Sequence, residues 1–230
     1  MQVYLKDNME LLKTIPTGSV DLVIMDPPYD IETKGGRAKF GNLQNALDEI
    51  DFMVDSYDIE GLNRELIRVM KKINIYIWCN KKQIPEYLDL YVNKLGCYFD
   101  LLVWNKTNPV PAYNKKHVGD AEYCLLFREK GTKLDPKSID DARTVMSSPA
   151  NKKDKDRFGH PTIKPLWITE RMIRNSSNEW DTVLDPFMGS GTTAEACINL
   201  NRHFIGSEVS EEVFEIASKR IQEAMVMKGD

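Results

Sequence analysis

Residues 181–208 read DTVLDPFMGSGTTAEACINLNRHFIGSE, and their order decides the fold. DTVLD (181–185) has the pattern of a short buried strand. Gly189 and Gly191 then permit a tight turn and bring backbone N–H groups close to a ligand. A helix is predicted over about 191–200, and HFIGSE (203–208) is a second strand. Strand, glycine turn, helix and strand form the repeating unit of a parallel α/β sheet. Glu208 ends the unit, 17 residues after Gly191, where a carboxylate accepts hydrogen bonds from two ribose hydroxyls. The unit therefore predicts a nucleoside cofactor beyond the carboxyl ends of the strands.

The residues before the glycines narrow the ligand. Gly189-x-Gly191-x-x-Ala194 fits a loose dinucleotide fingerprint, and the absence of a following Lys excludes a Walker loop. Asp185 would repel a pyrophosphate. It suits a cation, such as the amino group of S-adenosylmethionine.

Working outward, strands and helices keep alternating. The predicted strands are VYL (3–5), DLVIM (21–25), INIYIWC (73–79), YFDLLVW (98–104) and AEYCLLF (121–127), besides the two above. Asp7 caps a helix through MELLKTI, and further helices are expected at 57–72, IPEYLDLYVNKLG, 165–176 and 210–227. Residues 26–50 read as a loop with Gly35, Gly36 and Gly41. The stretch 128–160 is polar and breaks the rhythm; residues 128–159 form a small insert in one domain spanning 1–230.

A second constellation follows the apolar run DLVIM: Asp26-Pro27-Pro28-Tyr29. Two prolines stiffen the backbone and remove two N–H donors. The acceptors that remain, the Asp26 carboxylate and the Pro27 carbonyl, suit an amine with two N–H bonds. Tyr29 adds an aromatic face for stacking.

Composition sets the outer limits. The chain has 230 residues, 42% of them hydrophobic, with 31 Lys+Arg against 35 Asp+Glu and a net charge of −4. That suits one globular domain with a full core. No apolar run reaches the roughly 20 residues of a membrane span, so no membrane partner is expected. The N-terminus has no signal-peptide pattern, and a cytoplasmic location is expected. Cys79, Cys97, Cys124 and Cys197 lie apart in apolar stretches, and His117, His160 and His203 are equally scattered, so core thiols and no metal are expected.

Taken together, DPPY and DPFMGSGTT resemble the catalytic and cofactor motifs of DNA amino-methyltransferases that use S-adenosylmethionine. The catalytic motif precedes the cofactor motif, the permuted order of the β class. His160-Pro161-Thr162-Ile163-Lys164-Pro165 is similar to a segment that flanks the cofactor in that class, and WNKTNPVP (104–111) to one that lines the catalytic pocket. The resemblance covers nearly the whole chain and is strongest with compact bacterial adenine methyltransferases. It implies a Rossmann-like α/β fold: a seven-stranded, mostly parallel methyltransferase sheet with helices on both faces and the first strand beside the last.

The resemblance also implies residue roles. Asp26, Pro27, Pro28 and Tyr29 would be catalytic. Asp26, Asp185, Phe187, Gly189, Ser190, Gly191, Thr192, Thr193 and Glu208 would bind the cofactor. Asp7 and Asn8 would approach its adenine ring, and His160 and Thr162 its methionine end. Trp104, Asn105 and Lys106 would wall the pocket. The reaction implied is methylation of the N6 amine of an adenine flipped out of double-stranded DNA. Cytosine N4 methylation, RNA methylation and a catalytically silent DNA-binding subunit are the alternatives. Cytosine carbon-5 chemistry is excluded, because none of the four cysteines follows a proline. A homodimer and a cognate restriction endonuclease are further partners that the resemblance leaves open.

Charge by region points to the DNA. Residues 105–159 carry 12 Lys+Arg against 8 Asp+Glu, while the remainder carries 19 against 27. The acidity belongs to the scaffold, and the segment before the cofactor half is basic. Lys106, Lys115, Lys116, Lys152 and Lys153 are candidate phosphate contacts there. Lys34, Arg37 and Lys39 form a second candidate contact after DPPY. Residues 128–159 are the candidate target-recognition region.

Overall fold

The computed structural model describes residues 1–27, 59–109, 111, 117–150, 157 and 163–229. Within them, eight strands form one sheet: β1 (Gln2–Leu5), β2 (Leu22–Met25), β3 (Asn74–Cys79), β4 (Tyr98–Lys106), β5 (Ala121–Arg128), β6 (Val145–Ser148), β7 (Thr182–Asp185) and β8 (His203–Glu208). Their order across the sheet is β1-β8-β7-β2-β3-β5-β4-β6. The first five in that order run parallel. β5 is antiparallel to β3 and β4, and β6 is parallel to β4. The first strand does lie beside the last, with Leu5 opposite Glu208.

The expected count of seven strands is corrected to eight among the described residues. The addition is β6, inside the polar stretch 128–160. VMSS reads apolar, apolar, polar, polar, without the alternation that marks a strand, although in the fold only Met146 is buried. What makes them one is the edge of β4, which pairs with them from Val103↔Val145 to Lys106↔Ser148. The strands in the middle of the sheet behave as their apolar runs predict: β2 and β3 are buried at every position.

Helices cover both faces. On one side α1 (Asn8–Thr14), α2 (Ile59–Val69), α3 (Ile84–Leu88) and a following π-type turn (Asp89–Lys94) pack Leu11, Leu12, Leu62, Leu66, Tyr87 and Tyr91 against Val23, Ile75 and Ile77. On the other, α5 (Leu166–Ser176), α6 (Thr192–Asn199) and α7 (Glu211–Lys228) bring Ile168, Met172, Cys197 and Ile221 onto Ile24, Trp78 and Phe204. The short α4 (Ile139–Ala142) precedes β6. Each fully buried aliphatic side chain contributes roughly 1.5–3 kcal/mol, so the two layers hold the sheet from both sides. All four cysteines are free and buried. No helix among the described residues is long and apolar enough to cross a membrane.

Asp7 caps α1 as expected, accepting from the N–H groups of Met9 (2.8 Å) and Glu10 (3.2 Å). Asp7, Asp26, Asp185 and Glu208 thus stand at the carboxyl ends of β1, β2, β7 and β8, four strands that adjoin in the sheet.

Candidate active site

The turn after β7 is held by its own side chains. Asp185 is buried; one carboxylate oxygen accepts from Phe187 N–H (3.0 Å) and the other from the Thr193 hydroxyl (2.6 Å). Gly189 (φ +51°) and Gly191 (φ +80°) take the left-handed conformation that the turn requires. A β-carbon on Gly191 would sit 3.2 Å from the Ala217 β-carbon of α7, so this glycine also permits close helix packing. Glu208 reaches across from β8. It accepts from Gly189 N–H (3.0 Å) and, with its other oxygen, from Val209 and Ser210 N–H (2.9 Å each).

Burial pushes the Asp185 carboxyl up to about 7, against the Thr193 and Phe187 hydrogen bonds, with Asp26 and Glu208 adding to the rise. A buried acid with two further carboxylates nearby is a setting that a cation relieves. Among the described residues, a β-carbon on Gly189 would meet only the Phe187 carbonyl oxygen, at 3.9 Å, so a ligand can approach the backbone of the turn there. The residues therefore fit S-adenosylmethionine, which carries a sulfonium, an ammonium and a ribose.

Sequence reasoning missed the residue that braces this turn from behind. Arg220 of α7 is 2% exposed. Its guanidinium donates to Glu195 (2.5 Å), to the Thr192 hydroxyl (2.8 Å) and to the Ser190 hydroxyl (3.4 Å). Ser190, Thr192 and Thr193, expected to face the cofactor, are all buried, and their hydroxyls are engaged inside the protein. Nothing in an amphipathic helix pattern flags a fully buried arginine; only the packing of α7 on α6 reveals it.

Beside this turn, at the end of β2, stands Asp26. Its Oδ2 accepts from the Lys164 ammonium at 2.5 Å. Lys164 Nζ also lies 3.2 Å from Glu122 Oε2 on β5 and 5.1 Å from the centre of the Trp78 ring. Glu122 in turn pairs with Lys106 of β4, which lies over Trp104. Two acids and two lysines from four separate segments thus form one chain of ion pairs. Burial alone would raise the Glu122 carboxyl, but Lys164 and Lys106 beside it hold it below the ordinary carboxylate range. Burial would lower Lys164, yet Asp26 and Glu122 outweigh it and keep the ammonium above the usual lysine value. Burial pushes the Cys79 thiol, close to Asp26, up to about 12, so no thiolate competes near neutrality.

The expected residues divide accordingly. Asp26, Pro27, Asp185, Phe187, Gly189, Ser190, Gly191, Thr192, Thr193 and Glu208 gather where β2, β7 and β8 end. Asp7 and Asn8 follow the neighbouring β1. Trp104 is buried with its indole N–H on the Ser148 hydroxyl (2.9 Å), and Asn105 donates to the Ser147 hydroxyl (3.3 Å). Lys106, expected among the phosphate contacts, has its ammonium on Glu122. Pro28, Tyr29, Lys34, Arg37, Lys39, Lys115, Lys116, Lys152, Lys153, His160 and Thr162 lie outside the described residues. Lys164 and Glu122 were not anticipated in the site. Lys164 belongs to the HPTIKP segment, which was a signal; Glu122, inside a strand, had none.

Comparison with known proteins agrees with this geometry. Residues 20–219 match the family model described as DNA methylase, of the N6/N4 methyltransferase type. The type II methyltransferase M2.LlaDCHI of Lactococcus lactis subsp. cremoris is 31% identical over 236 residues, covering 94% of this chain and 87% of the relative. The crystal structure of the M1.HpyAVI–SAM complex superposes with a TM-score of 0.66 at 29% identity, covering 95% of this chain and 98% of the other. The PvuII DNA methyltransferase, cytosine-N4-specific, superposes with a TM-score of 0.70 at 18% identity, covering 98% of this chain and 91% of its own, and is alike in fold.

Proposed function

The chain belongs to the DNA methylase family, and from that premise we propose that it methylates the N6 amine of adenine within a short specific sequence of duplex DNA. It is a DNA methyltransferase, and its methyl donor is S-adenosylmethionine. The observation that carries amino-methyl transfer is the pairing of two sites at the same end of the sheet, and Asp26, where cytosine-N4 enzymes more often carry serine, favours adenine. Asp26 follows β2, and the glycine turn follows β7, the strand hydrogen-bonded beside it. Ligands of such sheets lie beyond the carboxyl ends of the strands.

The residues divide the work. Asp185, the backbone at Phe187, Gly189 and Gly191, and Glu208 would hold the donor, with Asp7, Asn8, His160 and Thr162 around it. S-adenosylmethionine, when bound, supplies an electrophilic methyl group on a leaving group that departs as a neutral thioether. The adenine amine is a weak nucleophile, because its lone pair is delocalised into the ring. The Asp26 carboxylate and the Pro27 carbonyl accept its two N–H bonds and localise that lone pair. Orientation supplies much of the rest. Asp26 acts as an acceptor and need not deprotonate the amine, since the methylated cation loses a proton readily. The base must leave the duplex, at a cost of a few kcal/mol, and Tyr29 offers a face on which it stacks.

Target reading is assigned to residues 128–159 and to the basic residues Lys34, Arg37, Lys39, Lys115, Lys116, Lys152 and Lys153. Most of the chain is consumed by the catalytic sheet, which leaves a short stretch for reading DNA. A second copy on the duplex would extend it, and a companion restriction endonuclease would share the target. Sedimentation with and without DNA measures the first; cleavage protection of methylated DNA measures the second.

The test is transfer of labelled methyl from S-adenosylmethionine to unmethylated duplex DNA, followed by nucleoside analysis. N6-methyladenine is the expected product. N4-methylcytosine would replace the adenine assignment, and no transfer to duplex DNA would overturn the reading altogether.

A further inference from the structure

An ion-pair chain runs from Asp26 through Lys164 and Glu122 to Lys106. Its four charged groups come from the end of β2, the segment before α5, β5 and β4, and they balance as two acids and two cations. The Lys164 side chain is only 10% exposed, and its ammonium lies over the Trp78 ring. Burying an ammonium costs several kcal/mol unless good partners meet it. A site that needed only an acceptor at Asp26 would be cheaper without it.

We propose that Lys164 is a positioning residue for methyl transfer: it fixes the orientation of the Asp26 carboxylate toward the target amine, and Glu122 is the second anion that makes this arrangement tolerable. The inference rests on the assignment of Asp26 as the acceptor of the amine. Its electrostatic logic has two halves. A hydrogen bond from Lys164 to Oδ2 restricts rotation of the Asp26 carboxylate, which is 28% exposed. Yet the target nitrogen gains positive charge as it takes up the methyl group, and a lone ammonium nearby would oppose that. Glu122, shared between Lys164 and Lys106, cancels this repulsion. Lys106 keeps Glu122 from being drawn wholly to Lys164. Among the described residues, other ionisable groups that act on Asp26 or Lys164 from packed strands include Asp185, Cys79 and Cys124. Of these, the two thiols stay neutral near pH 7.

The experiment compares wild type with Lys164→Met, Lys164→Arg and Glu122→Gln in single-turnover transfer to unmethylated duplex DNA, alongside the equilibrium affinity for S-adenosylmethionine and the thermal midpoint. Lys164→Met should slow transfer by about 10²-fold, the scale of a lost positioning contact, with cofactor affinity within about threefold of wild type. Lys164→Arg should restore most of the rate, because it keeps charge and donor. Glu122→Gln should fall between wild type and Lys164→Met. A Lys164→Met rate within about threefold of wild type overturns the proposal, as does a loss expressed wholly in cofactor affinity. Should Lys164→Met fail to fold, Lys164→Arg and Glu122→Gln carry the same comparison: equal, wild-type rates for both would overturn it. Failure of wild type to methylate DNA at all would count against the proposed function instead.

Discussion

Around the glycine turn, partners are near in the chain. Asp185 is met by Phe187 two residues on and Thr193 eight on, Gly189 by Glu208 after 19, and Ser190 by Arg220 after 30. Around Asp26 one partner is Lys164, 138 residues away, and behind it stand strands β5 and β4. The cofactor side is one continuous strand–turn–helix–strand–helix unit whose polar groups satisfy one another. The amine side is assembled from distant pieces of chain by charge. A local unit closes short loops and forms with little dependence on the rest. A site of distant charges exists only once the whole sheet is built, and each charge depends on every other.

The largest test of that contrast is on the amine side. Asp26→Ala should lower transfer to DNA by roughly 10³-fold, the scale of a lost transition-state acceptor, while the glycine turn still binds S-adenosylmethionine. Labelled-methyl transfer and equilibrium cofactor binding measure the two separately. Full activity in this variant would remove Asp26 from the mechanism, and lost cofactor binding would merge the two halves.

Arg220→Met attacks the cofactor side from behind. It strands Glu195 and two hydroxyls, and should cost about 3 kcal/mol of stability, read from urea unfolding. If the turn is as self-contained as its hydrogen bonds indicate, cofactor affinity falls with stability while Asp26-dependent chemistry in bound enzyme persists. Gly191→Ala is the milder version. A left-handed φ of +80° and an Ala217 contact at 3.2 Å should together cost on the order of 1–3 kcal/mol, again with weaker cofactor binding.

A further test is a pH dependence. Asp185 stands near 7 when folded, against an ordinary value of 3.8. Between those values the folded protein holds a proton that the unfolded chain releases. The contribution is therefore full below the unfolded value and is lost as pH rises through about 7, with a slope of at most about 1.4 kcal/mol per unit. Asp185→Asn should flatten that fall in urea unfolding between about pH 4 and 7. Affinity for the cationic cofactor should run the opposite way in wild type, rising as Asp185 ionises. An unchanged slope in Asp185→Asn would place the titration elsewhere.

Legibility in the sequence followed the same division. DTVLDPFMGSGTT announces its strand, its turn and its helix because strand runs, glycines and helix periodicity are local signals. Asp7 as a helix cap and the wholly buried β2 and β3 were readable for the same reason. β6 was not: VMSS becomes a strand only because β4 offers it an edge. Arg220 is one charge among several in the helical run 210–227, and only the packing of α7 sets it against the turn. Lys106 looked like a free cation in a basic segment, and folding gave it Glu122.

By itself, then, the sequence determined the parallel α/β architecture, the position of the glycine turn and the place, at the end of β2, of the proposed acceptor pair Asp26 and Pro27. Each of these is written in consecutive residues and in the periodicities that backbone geometry imposes. The tertiary structure alone decided which charges face one another. Asp26, Glu122, Lys106 and Lys164 meet only because β2, β5, β4 and the approach to α5 converge at one end of the sheet. Electrostatic partnership depends on distance and burial, and neither is encoded in the order of residues until the chain has closed on itself.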